Sequence, residues 1–103
     1  MTLGFTVASS YAVLPRLVAL IRAGVPGIEL NLREMVTQYQ LLALRAGSID
    51  AGLLRPTATG HDLRAARLER EPLLLALPLD HPLVAEDAVD PAALDDHPLI
   101  TYP

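Results

Sequence analysis

At 103 residues the chain is sized for one domain, at the small end of what sustains its own core. Half of it is hydrophobic, it has no cysteine, and its basic residues are all arginine, which excludes disulfide frameworks and thiolate metal sites. A net charge of −4 argues against a surface that grips phosphate backbones, since that needs clustered Lys and Arg.

Leu3–Ala8 reads as a first strand. Ser9 and Ser10 then offer caps for a helix over Tyr11–Ala23, whose Leu14, Leu17, Val18 and Ile21 recur at helical spacing. Pro15 lacks an amide donor and fits only a first turn, so this helix starts close to Tyr11 or Ala12. Gly24 ends it and Val25-Pro26-Gly27 turns the chain. Ile28–Arg33 alternates apolar and polar residues, the pattern of a strand with one wet face.

Thr37 and Gln40 fit a capping box at the start of a helix over Thr37–Ala46. Leu41 and Leu44 share a face of it, and Gly47 stands where a left-handed residue closes the helix. Ile49–Leu54 has no helical period and suits a strand covered on both faces. Strand, helix and strand so close in sequence imply a right-handed crossover in a parallel sheet.

Beyond the turn formers of Pro56–Gly60, Leu63–Leu77 holds two strand-like stretches with a kink at Glu71-Pro72. Pro78–Ala88 reads as irregular. Pro91–Leu94 suits a short helix, with Asp90 as cap and Pro91 at its first position. Leu99–Tyr102 is a final extended segment. No repeat, low-complexity tract or internal boundary interrupts the chain.

Two helix starts bearing hydroxyls, at Ser9 and Ser10 and at Thr37, fall on the carboxyl edge of the strands, where open α/β sheets bind ligands. Free amides and positive partial charge there suit a carboxylate or phosphate. Ordinary helix capping accounts for the same residues without any ligand. Arg55, after the third strand, is placed either to contact an anion or to sit solvated beside its loop.

The run Leu32-Arg33-Glu34-Met35-Val36-Thr37 through Asp50-Ala51-Gly52-Leu53-Leu54-Arg55-Pro56 resembles the effector-binding domain of LysR-type transcriptional regulators, specifically its first α/β lobe. The resemblance includes Gly4-Phe5-Thr6-Val7-Ala8-Ser9-Ser10, Arg70-Glu71-Pro72-Leu73, Asp80-His81-Pro82-Leu83 and Pro98-Leu99-Ile100-Thr101-Tyr102-Pro103, in the family's order. Each motif mostly encodes strands, turns and caps; the ordered set is more specific than its parts.

The resemblance implies an α/β fold with a mostly parallel sheet flanked by helices, one lobe of a type-2 periplasmic-binding-protein-like architecture. Residues 1–103 would be a partial effector-binding domain, without the second lobe or the helix-turn-helix domain. It further implies a small, anionic effector contacting the hydroxyls of Ser9, Ser10 and Thr37, and puts Thr101 and Tyr102 in the hinge between lobes, where a frayed terminus is the alternative account of both. Promoter DNA would be bound only through the missing domain, within a homo-oligomer. A lobe of a solute-binding uptake protein shares the fold and is the alternative. The sequence shows neither a basic leader with an apolar core nor a run near the roughly twenty apolar residues of a membrane span, so cytoplasmic residence is expected.

His61, His81 and His97 match no zinc spacing, and no nucleophile elbow surrounds Ser9 or Ser10. The expectation is therefore a binding module without metal, cofactor or catalytic residues.

Overall fold

A computed structural model of the chain describes residues 1–55 and 57–101. The chain forms two compact units, Met1–Arg67 and a second beginning at Leu68, although the sequence carries no compositional break there.

The first unit contains β1 (Thr2–Phe5), α1 (Val7–Ser10), α2 (Val13–Gly24), β2 (Asn31–Glu34), α3 (Thr37–Arg45) and β3 (Ala51–Leu53). The strands form one parallel sheet in the order β2-β1-β3. Gly4 pairs with Arg33 on one side and with Gly52 on the other. The chain thus leaves central β1 for one edge, then crosses back over it to reach the other, as in doubly wound α/β folds.

Alternation of side chains along β1 divides the two faces. Leu3, Leu53 and Leu14 are buried together, with Phe5, Val13, Leu17, Val18, Leu30 and Ala51 packed around them. This apolar cluster covers the α2 face, and each buried leucine contributes about 1.5–3 kcal/mol. The opposite face presents Gly4 and Gly52, and Gln40 of α3 lies across them, fully buried.

The first crossover departs from expectation. The strand stops at Phe5 because Thr6 turns the chain: it adopts an extended conformation, accepts from the Ser9 amide, and receives the reciprocal contact from Ser9. Ser9 and Ser10 therefore lie inside a short helix and do not cap the longer one. Pro15 cannot donate to the Tyr11 carbonyl, and helical geometry lapses at Ala12 before α2 begins.

Downstream, Val25-Pro26-Gly27-Ile28 is a turn closed by the Ile28 amide on the Val25 carbonyl, with Gly27 at φ 93°. Proline second and a positive-φ glycine third are the requirements of a type II turn. β2 starts only at Asn31, later than Ile28, because its partner β1 starts at Thr2. All four residues of β2 are exposed, as suits an edge strand.

Val36, not Thr37, occupies the N-cap of α3, and Gln40 does not reach back to form the expected box. Its side chain turns instead to the sheet, where buried carbonyls are available. The helix ends as the sequence indicates. Gly47 takes φ 68°, its amide donates to Leu44 O, and the Ser48 amide donates to Ala43 O, the two bonds of a Schellman closure. β3 is shorter than Ile49–Leu54, although Ile49 and Leu53 are both buried.

Residues after β3 return to α3. Arg45 Nε donates to Asp62 Oδ2 at 2.6 Å, and its Nη2 donates to the Thr59 carbonyl at 2.9 Å. The hydrogen bond from Arg45 is the main cause that holds the Asp62 carboxyl below its usual range. A depressed carboxyl stabilises the fold above its unfolded value and ceases to do so as pH falls through its folded value.

Leu63–Leu77 carries no strand. A strand needs a ladder partner, none of the described residues supplies one, and Pro72 removes a donor from the middle. In the second unit, 3-10 turns span Pro82–Ala85 and Pro91–Leu94. The Asp90 carboxylate caps the second by accepting from the Ala92 amide, as expected. His81 caps the first with Nδ1, accepting from Leu83, in a stretch expected to be irregular. Leu99 and Ile100 are exposed and in no regular element.

Two measurements check this account. A Cβ on Gly52 would fall 2.6 Å from Gln40 Oε1; Gly52→Ala is therefore expected to lower stability by about 1–3 kcal/mol in urea unfolding. NMR titration should find Asp62 ionising below the ordinary aspartate range, and Arg45→Ala should bring it back toward that range.

Candidate functional site

Because the strands are parallel and adjacent, their carboxyl ends open on one edge. There β1 passes into Thr6, β2 into Met35 and Val36, and β3 into Leu54 and Arg55. The Met35 amide donates to the Phe5 carbonyl at 2.8 Å, which joins the first two exits directly.

Thr6 and Ser9 form a closed polar knot. Ser9 Oγ donates to the Thr6 carbonyl at 2.8 Å and accepts from the Thr6 amide at 3.1 Å. The two hydroxyl oxygens are 3.2 Å apart, and Thr6 Oγ1 also accepts from the Ser9 amide. Ser10 Oγ donates to the Val7 carbonyl at 2.6 Å. Both serine protons are thus used within α1, and what they have left to offer a ligand is lone pairs.

The start of α3 is different. Val36 has an extended backbone and no side-chain acceptor, so no side chain caps the first turn. Thr37 is the first helical residue, half-buried beside those amides. Unsatisfied amides at a helix start, with the positive end of the helix dipole, suit a carboxylate or phosphate oxygen. Arg55 is exposed where β3 leaves the same edge.

The sheet topology therefore brings Ser9, Ser10, Thr37 and Arg55 to one edge. Thr101 belongs to the second unit, where it is exposed, and Tyr102 lies outside the described residues. That second unit has a groove of about 850 Å³ lined by Leu74–Pro78, His81, Leu94 and His97–Thr101. The rings of His81 and His97 are 4.9 Å apart at 57°. Among the described residues no three His, Cys, Asp or Glu side chains are grouped to hold a metal.

Sequence reasoning missed two residues. Thr6 carried a weak signal, a Thr-x-x-Ser spacing whose third position is Ser in place of the usual Glu or Gln. Gln40 reads as a cap from its spacing alone, although glycines inside two strands mark a place where another group approaches closely.

The chain belongs to the LysR substrate-binding domain family, whose model matches residues 1–103. It is 33% identical over 98% of its length to the HTH-type transcriptional regulator AlsR of Bacillus subtilis (strain 168), covering 33% of that protein. It is 32% identical over 92% to the Hca operon transcriptional activator HcaR of Escherichia coli (strain K12), covering 32%. With the HTH-type transcriptional regulator IlvR of Caulobacter vibrioides it shares 36% over 100% of this chain and 35% of that one. The chain thus spans about a third of the length of these relatives. No solved structure matches it. The relatives are transcriptional regulators by name, which favours the regulator reading over the uptake-protein alternative.

Of the two serines, Ser9 does the more structural work. Ser9→Ala is expected to cost about 0.5–2 kcal/mol and Ser10→Ala clearly less, compared by chemical denaturation of the two variants.

Proposed function

We propose that the chain is the first, effector-sensing lobe of a LysR-type transcriptional regulator and that its effector is a small anion. The observation that carries this reading is the uncapped first turn of α3, with Thr37 upon it, on the same sheet edge as Arg55 in a LysR substrate-binding domain. The first-turn amides would take the effector's carboxylate or phosphate oxygens, Thr37 Oγ1 would add one directed hydrogen bond, and Arg55 would add charge. Ser9 and Ser10 would contribute acceptor lone pairs from the neighbouring exit. Thr101 and Tyr102 would line the approach to a second lobe.

The lobe acts as a binding module and performs no chemistry. Regulation follows from population shift: the effector must bind one arrangement of lobes or subunits better than another. α2 presents Leu20, 70% exposed, with Val25 also exposed at its end, an apolar surface suited to contact between copies in a homo-oligomer. DNA binding belongs to a helix-turn-helix domain outside these residues, consistent with the acidic balance of this segment. No helix among the described residues is long and apolar enough to cross a membrane, and we take the regulator to work in the cytoplasm.

NMR titration with small mono- and dicarboxylates and inorganic phosphate should shift the amides of Val36–Gln38 and Arg55 saturably. Thr37→Ala should weaken that binding roughly ten-fold, the worth of one hydrogen bond to a charged ligand. If no anion in the panel moves these amides, the reading fails.

A further inference from the structure

Gln40 connects the two outer strands of the sheet. Its Nε2 donates to the Met35 carbonyl at 2.8 Å and to the Leu53 carbonyl at 3.2 Å. Those carbonyls stand at the carboxyl ends of β2 and β3, with β1 between them. A primary amide has two N–H donors, and each is committed here to a different strand.

The oxygen end has no hydrogen-bond partner although it is buried. It rests against the paired glycines, where a Cβ would come within 2.6 Å at Gly52 and 2.9 Å at Gly4. Turning the amide over would set its oxygen against two carbonyls, so its donors fix its orientation. An orphaned buried oxygen is a cost that an apolar side chain of similar size would avoid. What that apolar side chain would lose is the bridge.

We infer that Gln40 is a positioning residue of the sheet-edge site. It straps the turn that begins α3 at Thr37 to the exit that carries Arg55, so that an anion contacting one is felt at the other. This rests on the reading of that edge as the effector site.

The test uses Gln40→Met, which keeps an unbranched side chain of similar size and removes both donors. Without any anion, hydrogen exchange at the Met35 amide, which donates to Phe5 O, should rise about ten-fold in the variant. The amides of Leu17–Ile21 in α2, and of Asp50, which donates to Thr2 O at the opposite sheet edge, should stay within about two-fold. An equal rise everywhere marks general destabilisation and overturns the inference, as does no rise at Met35.

The second arm titrates inorganic phosphate and follows the amides of Thr37, Gln38 and Arg55. In the wild-type chain they should shift with one midpoint; in Gln40→Met the amides of Thr37 and Gln38 should still shift while Arg55 falls silent. An unchanged joint response in the variant overturns the positioning role whatever the exchange data show. A wild-type chain that responds at neither loop overturns the effector-site reading and Gln40's part in it. The exchange result then still shows whether the strap exists.

Discussion

A bare three-stranded parallel sheet has two faces to cover, and here the covering is unequal. One face is closed by leucines of α2, β1 and β3, which pack without directional demands. On the other, beside the apolar side chains of Ile49 and Leu44, lies an amide side chain that must find two carbonyls while its oxygen lies on two glycines. That fit constrains the α3 side of the first unit. The seat of α3 on the sheet must satisfy the reach of Gln40 to the Met35 and Leu53 carbonyls.

This explains how far the sequence could be read. Apolar periodicity finds α2, because Leu14, Leu17 and Val18 face an ordinary greasy core. Gly47 and the Val25-Pro26-Gly27 turn are equally legible, since each needs a backbone geometry that few residues supply. Gln40 was misread because a glutamine four residues into a helix gives no local sign of whether it turns back along its own helix or across to a sheet. Only the pairing of Gly4 with Gly52, formed by residues far apart in sequence, decides between them.

The site shows the same division. That hydroxyls and Arg55 gather at one edge was readable, because parallel strands leave their exits together. Which hydroxyl remains available was not. Thr6 takes Ser9 into its own capping box, whereas Val36 leaves the start of α3 open. The difference lies in a shift of one to four residues in where each helix begins, a scale at which sequence patterns lose resolution.

The stretch Leu73–Leu77 has a practical meaning of its own. Leu73 and Leu74 stand 95% and 90% exposed, in an apolar run that has no ladder. Such runs seed aggregation when chains are concentrated. This one is bracketed by Arg70, Glu71 and Pro72 on one side and by Pro78 and Asp80 on the other. Charge and proline at both ends are gatekeepers: they discourage a second chain from stacking onto the leucines. Variants that neutralise those flanks are expected to carry the greater risk of inclusion bodies.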